Sequence, residues 1–375
     1  MIEMAAPAAA AAPILVAGAG PVGLCAALAL HRFGQPVRII DSRPEAQLRR
    51  DPRAIALSHG SRLILERLSV WDEVAAQTSA TPIRHIHISQ AGGFGQTRIE
   101  ASDYQLAALG YVTPLGPMVK ALVGAVQRAG IEIRFETAHD RASAPAPLTL
   151  IAEGRPAEGA ERKEYGQTAI VTEAWSTTPH GNQACERFTP EGPLALLPLG
   201  TDHASDNSGG YSIVWCMQDE TARALLQKAD AEFIHALNHA TSFAQRSWTR
   251  VAPRTAYPLV LVHAPASVNA CEIALGNAAQ TLHPVAGQGL NLGLRDAFEL
   301  ADALKHGIHL DALDQWRKHR ARDRSAMIKL TDQYVSLFSN DLAPVRAARG
   351  LGLALVNLLP GVRRLVARRM MFGLR

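Results

Sequence analysis

A chain of 375 residues with 47% hydrophobic side chains has ample apolar surface for a core, and its length alone predicts two or three domains. Its net charge of +4 is too small, and too concentrated near the C-terminus, for a nucleic-acid-binding surface. Four scattered cysteines (Cys25, Cys185, Cys216, Cys271) form no C-x-x-C pair, which argues against a disulfide framework or a zinc site and predicts reduced, mostly buried thiols.

The run from Ala5 to Pro13 is low in complexity and lacks a basic start or a long apolar stretch, so it reads as a flexible arm rather than a signal peptide. The chain is therefore expected to stay in the cytoplasm. Ile14 to Ala17 is an apolar strand that runs into Gly18-Ala19-Gly20-Pro21-Val22-Gly23, the spacing G-x-G-x-x-G, and Leu24 to Phe33 then reads as a helix closed by Gly34. In such a turn the first glycine permits the tight bend, the second lets the backbone approach a pyrophosphate, and the third packs helix on strand, with phosphates at the helix N-terminus. A second strand, Val37 to Ile40, ends at Asp41, about 20 residues beyond the glycines, where a carboxylate can bind a ribose hydroxyl. Strand, turn, helix, strand and acid in this order predict a dinucleotide site.

Strands and helices alternate as far as Ala152, which predicts a parallel, doubly wound sheet. Ile83 to Ser89 sets Ile86 and Ile88 against His85 and His87 and is expected to join a second sheet, its histidines on a polar face rather than on a metal. Between Thr168 and Val262 the pattern changes. Thr168 to Trp175, Leu194 to Leu199 and Tyr211 to Met217 read as strands, with helical patches at Glu220 to Gln227 and Glu232 to His239, predicting an inserted, mainly antiparallel sheet that covers a substrate. The expected division is an arm at 1–12, a discontinuous cofactor domain at 13–80, 106–167 and 263–340, a substrate domain at 81–105 and 168–262, and a C-terminal helical segment at 341–375.

A second glycine-bracketed loop argues for a flavin. The short strand Glu272 to Leu275 precedes a polar Asn277, and Gly287-Gln288-Gly289 then opens a helix through Lys305, whose first backbone N–H groups can stabilise negative charge on a reduced isoalloxazine. A nicotinamide-dependent dehydrogenase would use the first loop alone. Arg295 and Asp296, in the helix body, are expected to form a structural pair.

The chain resembles the FAD-dependent aromatic hydroxylases of ubiquinone biosynthesis, within the wider para-hydroxybenzoate hydroxylase fold group. Besides both loops, the likeness rests on Arg53-Ala54-Ile55-Ala56-Leu57-Ser58, on Phe188-Thr189-Pro190-Glu191-Gly192-Pro193-Leu194-Ala195-Leu196-Leu197-Pro198 and on Ala256-Tyr257-Pro258-Leu259, in family order across nearly the whole chain. The resemblance implies an α/β, Rossmann-like FAD-binding domain with the inserted sheet and C-terminal helices. It also implies that Gly18, Gly20, Gly23, Asp41 and Arg53 bind the ADP half, and that Asn277, Gly287, Gln288, Gly289 and Asn291 lie at the ribityl and flavin. The implied reaction is a monooxygenation: NADPH, NADH or a partner reductase reduces FAD, O2 adds to give a flavin hydroperoxide, and its distal oxygen attacks the ring of a polyprenylated phenol. Pro284 would pack near the reacting edge, and His283 would position the phenol, relay a proton near neutral pH, or only brace the loop. Tyr257 and Arg254 are further pocket candidates.

Three positions depart from the family pattern. Its Asp-Gly appears as Glu153-Gly154, which puts a longer carboxylate at this cofactor position. The stretch Glu136 to Pro147 suggests a trimmed hairpin, and Thr113 to Pro117 lacks the polar side chain often found there. A flavin-binding scaffold of a quinone-synthesis assembly, or a hydroxylase of another aromatic substrate, are the alternatives.

The C-terminal region carries seven arginines (Arg346, Arg349, Arg363, Arg364, Arg368, Arg369, Arg375) around the apolar run Leu351 to Leu359. That run is too short to span a bilayer, which takes about 20 apolar residues. It is expected either to lie on an anionic membrane surface or a partner of the same pathway, peripheral to the inner membrane, or to dock on its own domain.

Overall fold

The computed structural model describes residues 12–140, 146–157, 159–200, 209–241, 246–264, 271–284, 287–338 and 343–373, without side chains at 330–346. The expected N-terminal arm and part of the expected trimmed hairpin lie outside these residues.

Strand β1 (Ile14–Ala17) leads into helix α1 (Pro21–Arg32) and then β2 (Val37–Ile40), as the hydrophobic pattern predicts. A short α2 (Glu45–Leu48) precedes β3 (Ala54–Ser58), α3 (His59–Arg67) and α4 (Trp71–Thr78). Next come β4 (Thr81–Ile83), β5 (His85–Gln90), β6 (Gln96–Glu100), β7 (Gly110–Pro114), α5 (Leu115–Arg128), β8 (Glu132–Arg134) and β9 (Thr149–Ile151). The middle of the chain forms β10 (Glu161–Ser176), β11 (Gln183–Phe188), β12 (Pro193–Pro198), β13 (Gly209–Gln218), α6 (Asp219–Leu226), α7 (Asp230–Ala240), β14 (Trp248–Val251) and β15 (Thr255–His263). The chain ends with β16 (Glu272–Ala274), β17 (Gln280–Thr281) and helices α8 (Gln288–Ala303), α9 (Leu310–Phe338), α10 (Ala343–Leu358) and α11 (Pro360–Phe372).

Three sheets result. The first is wholly parallel, in the order β16-β9-β1-β2-β8. Its central β1 is buried throughout, which a strand covered on both faces requires. The expected doubly wound sheet is therefore present, but β3 and β7 are not part of it. β7 pairs antiparallel with β3 on one side and β4 on the other in a separate three-stranded sheet, and β3 carries the partly open residues Ala54, Ile55 and Ala56 where a central parallel strand would be sealed.

The third sheet has nine strands and runs β17-β15-β10-β13-β12-β11-β5-β6, with β14 also paired to β10. All its pairings are antiparallel except β11 with β5. One face is sealed: Ile170, Tyr211, Ile213, Trp215, Leu194 and Leu196 pack under Ala222 and Leu225 of α6 and Phe233 and Leu237 of α7. The other face turns toward the three-stranded sheet, where Ala184, Leu197 and Ile86 meet Ala54 and Ala56 of β3. On β5 the expected polar face holds a buried His87, hydrogen-bonded to Gln96 at 3.0 Å, and no metal-holding group of three His, Cys, Asp or Glu occurs among the described residues.

Candidate active site

Each glycine of the first loop has a different neighbour. A Cβ on Gly18, whose φ is +119°, would lie 2.3 Å from the Ala152 carbonyl oxygen, and one on Gly23 only 1.9 Å from the Gly18 carbonyl oxygen. Gly18 thus lets the chain leaving β1 pass close to the chain leaving β9, and Gly23 lets α1 close on the loop. A Cβ on Gly20 would meet nothing within 4 Å. Helix α1 begins at Gly20 without a side-chain cap, so its first N–H groups face open space.

Asp41 closes the far side of this loop. Its carboxylate is 2% exposed and accepts the Ala19 N–H at 2.7 Å, the Arg43 N–H at 2.8 Å and the Arg43 guanidinium at 2.9 and 3.0 Å. Burial would raise its pKa, yet the hydrogen bonds from Arg43 and Ala19 hold it below the usual carboxylate range. Glu153 stands half-buried just past β9, its backbone N within 2.7 Å of where a Gly18 Cβ would sit. Arg53 grips Asp51 at 2.6 Å and lies over the Tyr257 ring at 5.8 Å, joining the start of β3 to β15.

Roughly 250 residues, about 850 Å of fully extended chain, separate the two loops, but packing brings them together. Gly276 and Gly293 both press on Val22 of α1, where Cβ atoms would lie 3.1 and 2.8 Å from its methyl groups. Asn277 is exposed in the short turn after β16. Gly287, at φ +59°, precedes α8, which also starts without a side-chain cap, and a Cβ on Gly289 would meet nothing within 4 Å. Gln288 is buried and donates to the Met370 carbonyl at 3.4 Å. Asn291 is fully engaged by protein: its Oδ1 accepts from Ser58 N–H and Ser61 Oγ, and its Nδ2 donates to the carbonyls of Ala56 and Gly287. It clamps the second loop to β3.

Three expectations need correction. His283 is 2% exposed, with Nε2 3.3 Å from Gln167 Oε1 and its ring edge-on to Tyr165 at 5.4 Å. Burial pushes its pKa down to about 4, so it is neutral at physiological pH and does not titrate there as a relay. Half-buried Pro284 follows it. Arg254 bonds Asp230 of α7 at 2.9 Å and lies over Phe233, a core residue of the sealed face, whereas Tyr257 points the opposite way toward Arg53. Arg295 and Asp296 do not pair with each other. Asp296, completely buried, takes Arg324 at 3.0 Å and also Arg320, while Arg295 takes Asp323 at 3.1 Å, because a helix turns successive residues to different sides.

Sequence reading missed the unsealed face of the large sheet. Register places Thr255, Val171, Val214, Ala195, Glu186, Ile88 and Thr97 in one row across seven strands. Among them Val171, Val214, Ala195, Glu186 and Ile88 are half-buried, unlike the sealed side. The row lies between the contact with β3 at one end and the Gln167–His283 contact at the other. Only the strand pairing could have revealed it, since Glu186 has no motif of its own.

Two uncapped helix N-termini with open glycines, held together by Val22, suit a ligand with a pyrophosphate at one end and a charge-accepting ring system at the other. Residues 11–145 match the FAD binding domain family. The fold is shared with p-nitrophenol 4-monooxygenase PnpA of Pseudomonas putida, with a TM-score of 0.75 at 17% identity over 97% of this chain and 99% of that one. The protein is an FAD-dependent monooxygenase. It is also 31% identical to ubiquinone hydroxylase UbiL of Rhodospirillum rubrum over 96% of this chain and 89% of the relative. A second relative, 3-demethoxyubiquinol 3-hydroxylase of Escherichia coli, is 27% identical over 91% of this chain and 93% of its own length. The chain belongs to the family of ubiquinone-biosynthesis hydroxylases.

Proposed function

We propose that this hydroxylase acts on the ring of a polyprenylated phenol, held between the second glycine loop and the unsealed face of the nine-stranded sheet. The observation that carries this reading is that face itself: it is apolar, half-open and turned toward the cofactor loops, while its reverse is sealed by α6 and α7. An apolar wall lets an aromatic ring displace water, which protects reactive oxygen chemistry from hydrolytic loss.

FAD, when bound, takes electrons from NADPH or NADH and activates O2 for attack on the ring. The α1 N-terminus with Gly18, Gly20 and Gly23 would hold the pyrophosphate, with Asp41 and Arg53 framing the ADP half and Glu153 beside the first glycine. Asn277 would hold the ribityl chain, and the N–H groups at Gly287, Gln288 and Gly289 would face the ring system's negative charge. Asn291 positions that loop. Neutral His283 orients Gln167 and Tyr165 at one end of the cleft, with Pro284 at its edge and Tyr257 at its margin.

The C-terminal pair supports a membrane-peripheral location. Leu351, Leu355, Leu358, Leu359, Val362 and Leu365 are all exposed on α10, α11 and their junction, beside exposed Arg364, Arg368 and Arg369. No single described helix is long and apolar enough to cross a bilayer, and the two helices meet at 97°. An anionic surface would accept this face and deliver a lipid-tailed substrate. The deciding experiment is to identify the quinone precursor that accumulates when this chain is absent and to supply it to the purified, FAD-loaded protein with NADPH or NADH. Accumulation of no precursor, or no ring hydroxylation of the one found, overturns the assignment.

A further inference from the structure

We infer that Glu186 is the group that receives the ring hydroxyl of the aromatic substrate, an inference that rests on reading the chain as a phenol hydroxylase. The carboxylate projects from β11 on the unsealed face. Its row neighbours are Ala195 on one side and Ile88 on the other, with Val214 and Val171 beyond Ala195. Two residues earlier on the same strand, Ala184 packs against β3, and β3 in turn carries Ala56, which Asn291 ties to Gly287. Glu186 therefore stands one pleat from the seam with the flavin-binding domain, on the side that faces it.

Its environment is what makes the carboxylate unusual. The Oε1 atom is shut off from solvent and has no hydrogen-bond partner among the described residues. Buried polar atoms are normally paired, and an unmade hydrogen bond to a charged group costs more than one to a neutral group. Its register neighbours Ala195 and Ile88 are apolar and offer its carboxylate no donor. An acceptor kept unpaired in an apolar wall at the mouth of a cofactor site suits a ligand that brings its own donor. A phenol is such a ligand, with an apolar ring for Ala195, Val214 and Ile88 and one O–H for Oε1.

The chemistry follows from the same isolation. Burial pushes the Glu186 carboxyl up to about 8, closer to a phenol, whose pKa is about 10, than an ordinary carboxylate is. As the ring is attacked, the phenolic O–H bond breaks, its proton passes to Glu186 Oε1, and its electron pair moves into the ring. The ring regains aromaticity when the C–H bond at the attacked carbon breaks and its proton leaves to water, while the ring oxygen takes its own proton back from Glu186. The titratable groups sharing this face are Cys216 on β13, its thiol pushed up by burial, Tyr257 on β15 and Glu173 on β10 three strands away, with Arg53 approaching from β3.

The test compares FAD-loaded wild type with Glu186→Leu and Glu186→Gln, using a short-tailed alkyl phenol and its methyl ether, with binding read from the flavin absorbance. Above pH 8, where the Glu186 carboxyl is ionised, wild type should prefer the phenol to the ether, and Glu186→Leu should lose that preference by roughly ten- to a hundredfold, as expected for a hydrogen bond to a charged group. Glu186→Gln should keep part of it but lose the rise of kcat with pH through about 8. Both variants should retain flavin and melt no lower than wild type, since each removes an unpaired buried carboxylate. Equal preference in wild type and Glu186→Leu overturns the inference, and so does a lower melting temperature in both variants, which would make the residue structural. If wild type binds the phenol selectively but hydroxylates none, the phenol-hydroxylase reading fails while the binding role of Glu186 stands.

Discussion

Val22 on α1 and Gly293 on α8 touch so closely that a Cβ on Gly293 would lie 2.8 Å from a Val22 methyl and 3.1 Å from the Gly276 Cα. This contact sets the spacing between the two cofactor loops. Valine cannot swing away, because a β-branched side chain in a helix has one strongly preferred rotamer. Gly293→Ala should therefore push α8 from α1, destabilising the protein by about 1–3 kcal/mol and weakening FAD retention. Thermal melting with and without added FAD tests this; an unchanged melting temperature and flavin content would show that the helices can part freely.

Gly20 and Gly23 should separate ligand approach from packing. A Cβ at position 20 meets no protein atom within 4 Å, so Gly20→Ala should leave the apoprotein folded while FAD occupancy collapses, because the methyl projects where the pyrophosphate would lie. Gly23→Ala strikes the Gly18 carbonyl oxygen and should destabilise the apoprotein itself. Flavin absorbance and apoprotein melting, measured on both variants, distinguish the two. Full flavin occupancy in Gly20→Ala would refute the placement of the pyrophosphate.

Burial of His283 predicts a pH dependence with a definite sign. Its pKa falls from 6.5 in the unfolded chain to about 4 in the fold, so the unfolded chain binds the extra proton first. The associated stability is present above pH 6.5, is lost as pH falls toward 4, and amounts to about 3 kcal/mol at most. Denaturant midpoints between pH 7 and 4 should fall less steeply in His283→Gln than in wild type. Parallel slopes would mean that His283 is solvated and free to titrate.

The first glycine loop was legible because its physics is local: four consecutive apolar residues, a fixed spacing and an acid at the end of β2 define it without tertiary knowledge. Asp41 shows the limit of that reading. Its distance along the chain identified it, but only the structure reveals Arg43 and Ala19 already on its carboxylate. Arg254 and Tyr257 lie three residues apart and read as one pocket, yet strand alternation sends them to opposite faces of the sheet. Glu186 was illegible for a related reason. Its significance comes from six strand pairings, and the pairing of β11 with β5 joins segments that no pattern in the chain connects.

Glu153 tests whether a longer carboxylate serves at the first glycine loop. Glu153→Asp should preserve or improve the rate of flavin reduction by NADPH or NADH, while Glu153→Ala should slow it several-fold. Stopped-flow bleaching of the flavin provides the rate. Identical rates in all three proteins would remove this side chain from the reduction step.

The C-terminal helices have two unlike sides. The inner side of α11 is structural: Ala367 and Met371 are buried against Ile99 and Leu109, Phe372 stacks edge-on with His59, and Gly373 abuts Arg295. Arg363 also belongs to the protein, since it pairs with Asp103 at 3.4 Å. The outer side, with Leu351, Leu355, Leu358 and Leu365, is exposed among the described residues. Replacing Arg364, Arg368 and Arg369 with glutamine should therefore reduce flotation with anionic vesicles without changing FAD content, and raising the salt should mimic the effect in wild type. Replacing Leu351, Leu355 and Leu358 with serine should weaken vesicle binding at every salt concentration. Both sets should depress turnover of a long-tailed phenol while sparing a short-tailed one, because only the former must leave a membrane to reach the cleft. Vesicle binding that survives both sets of changes would show that this face does not meet the lipid.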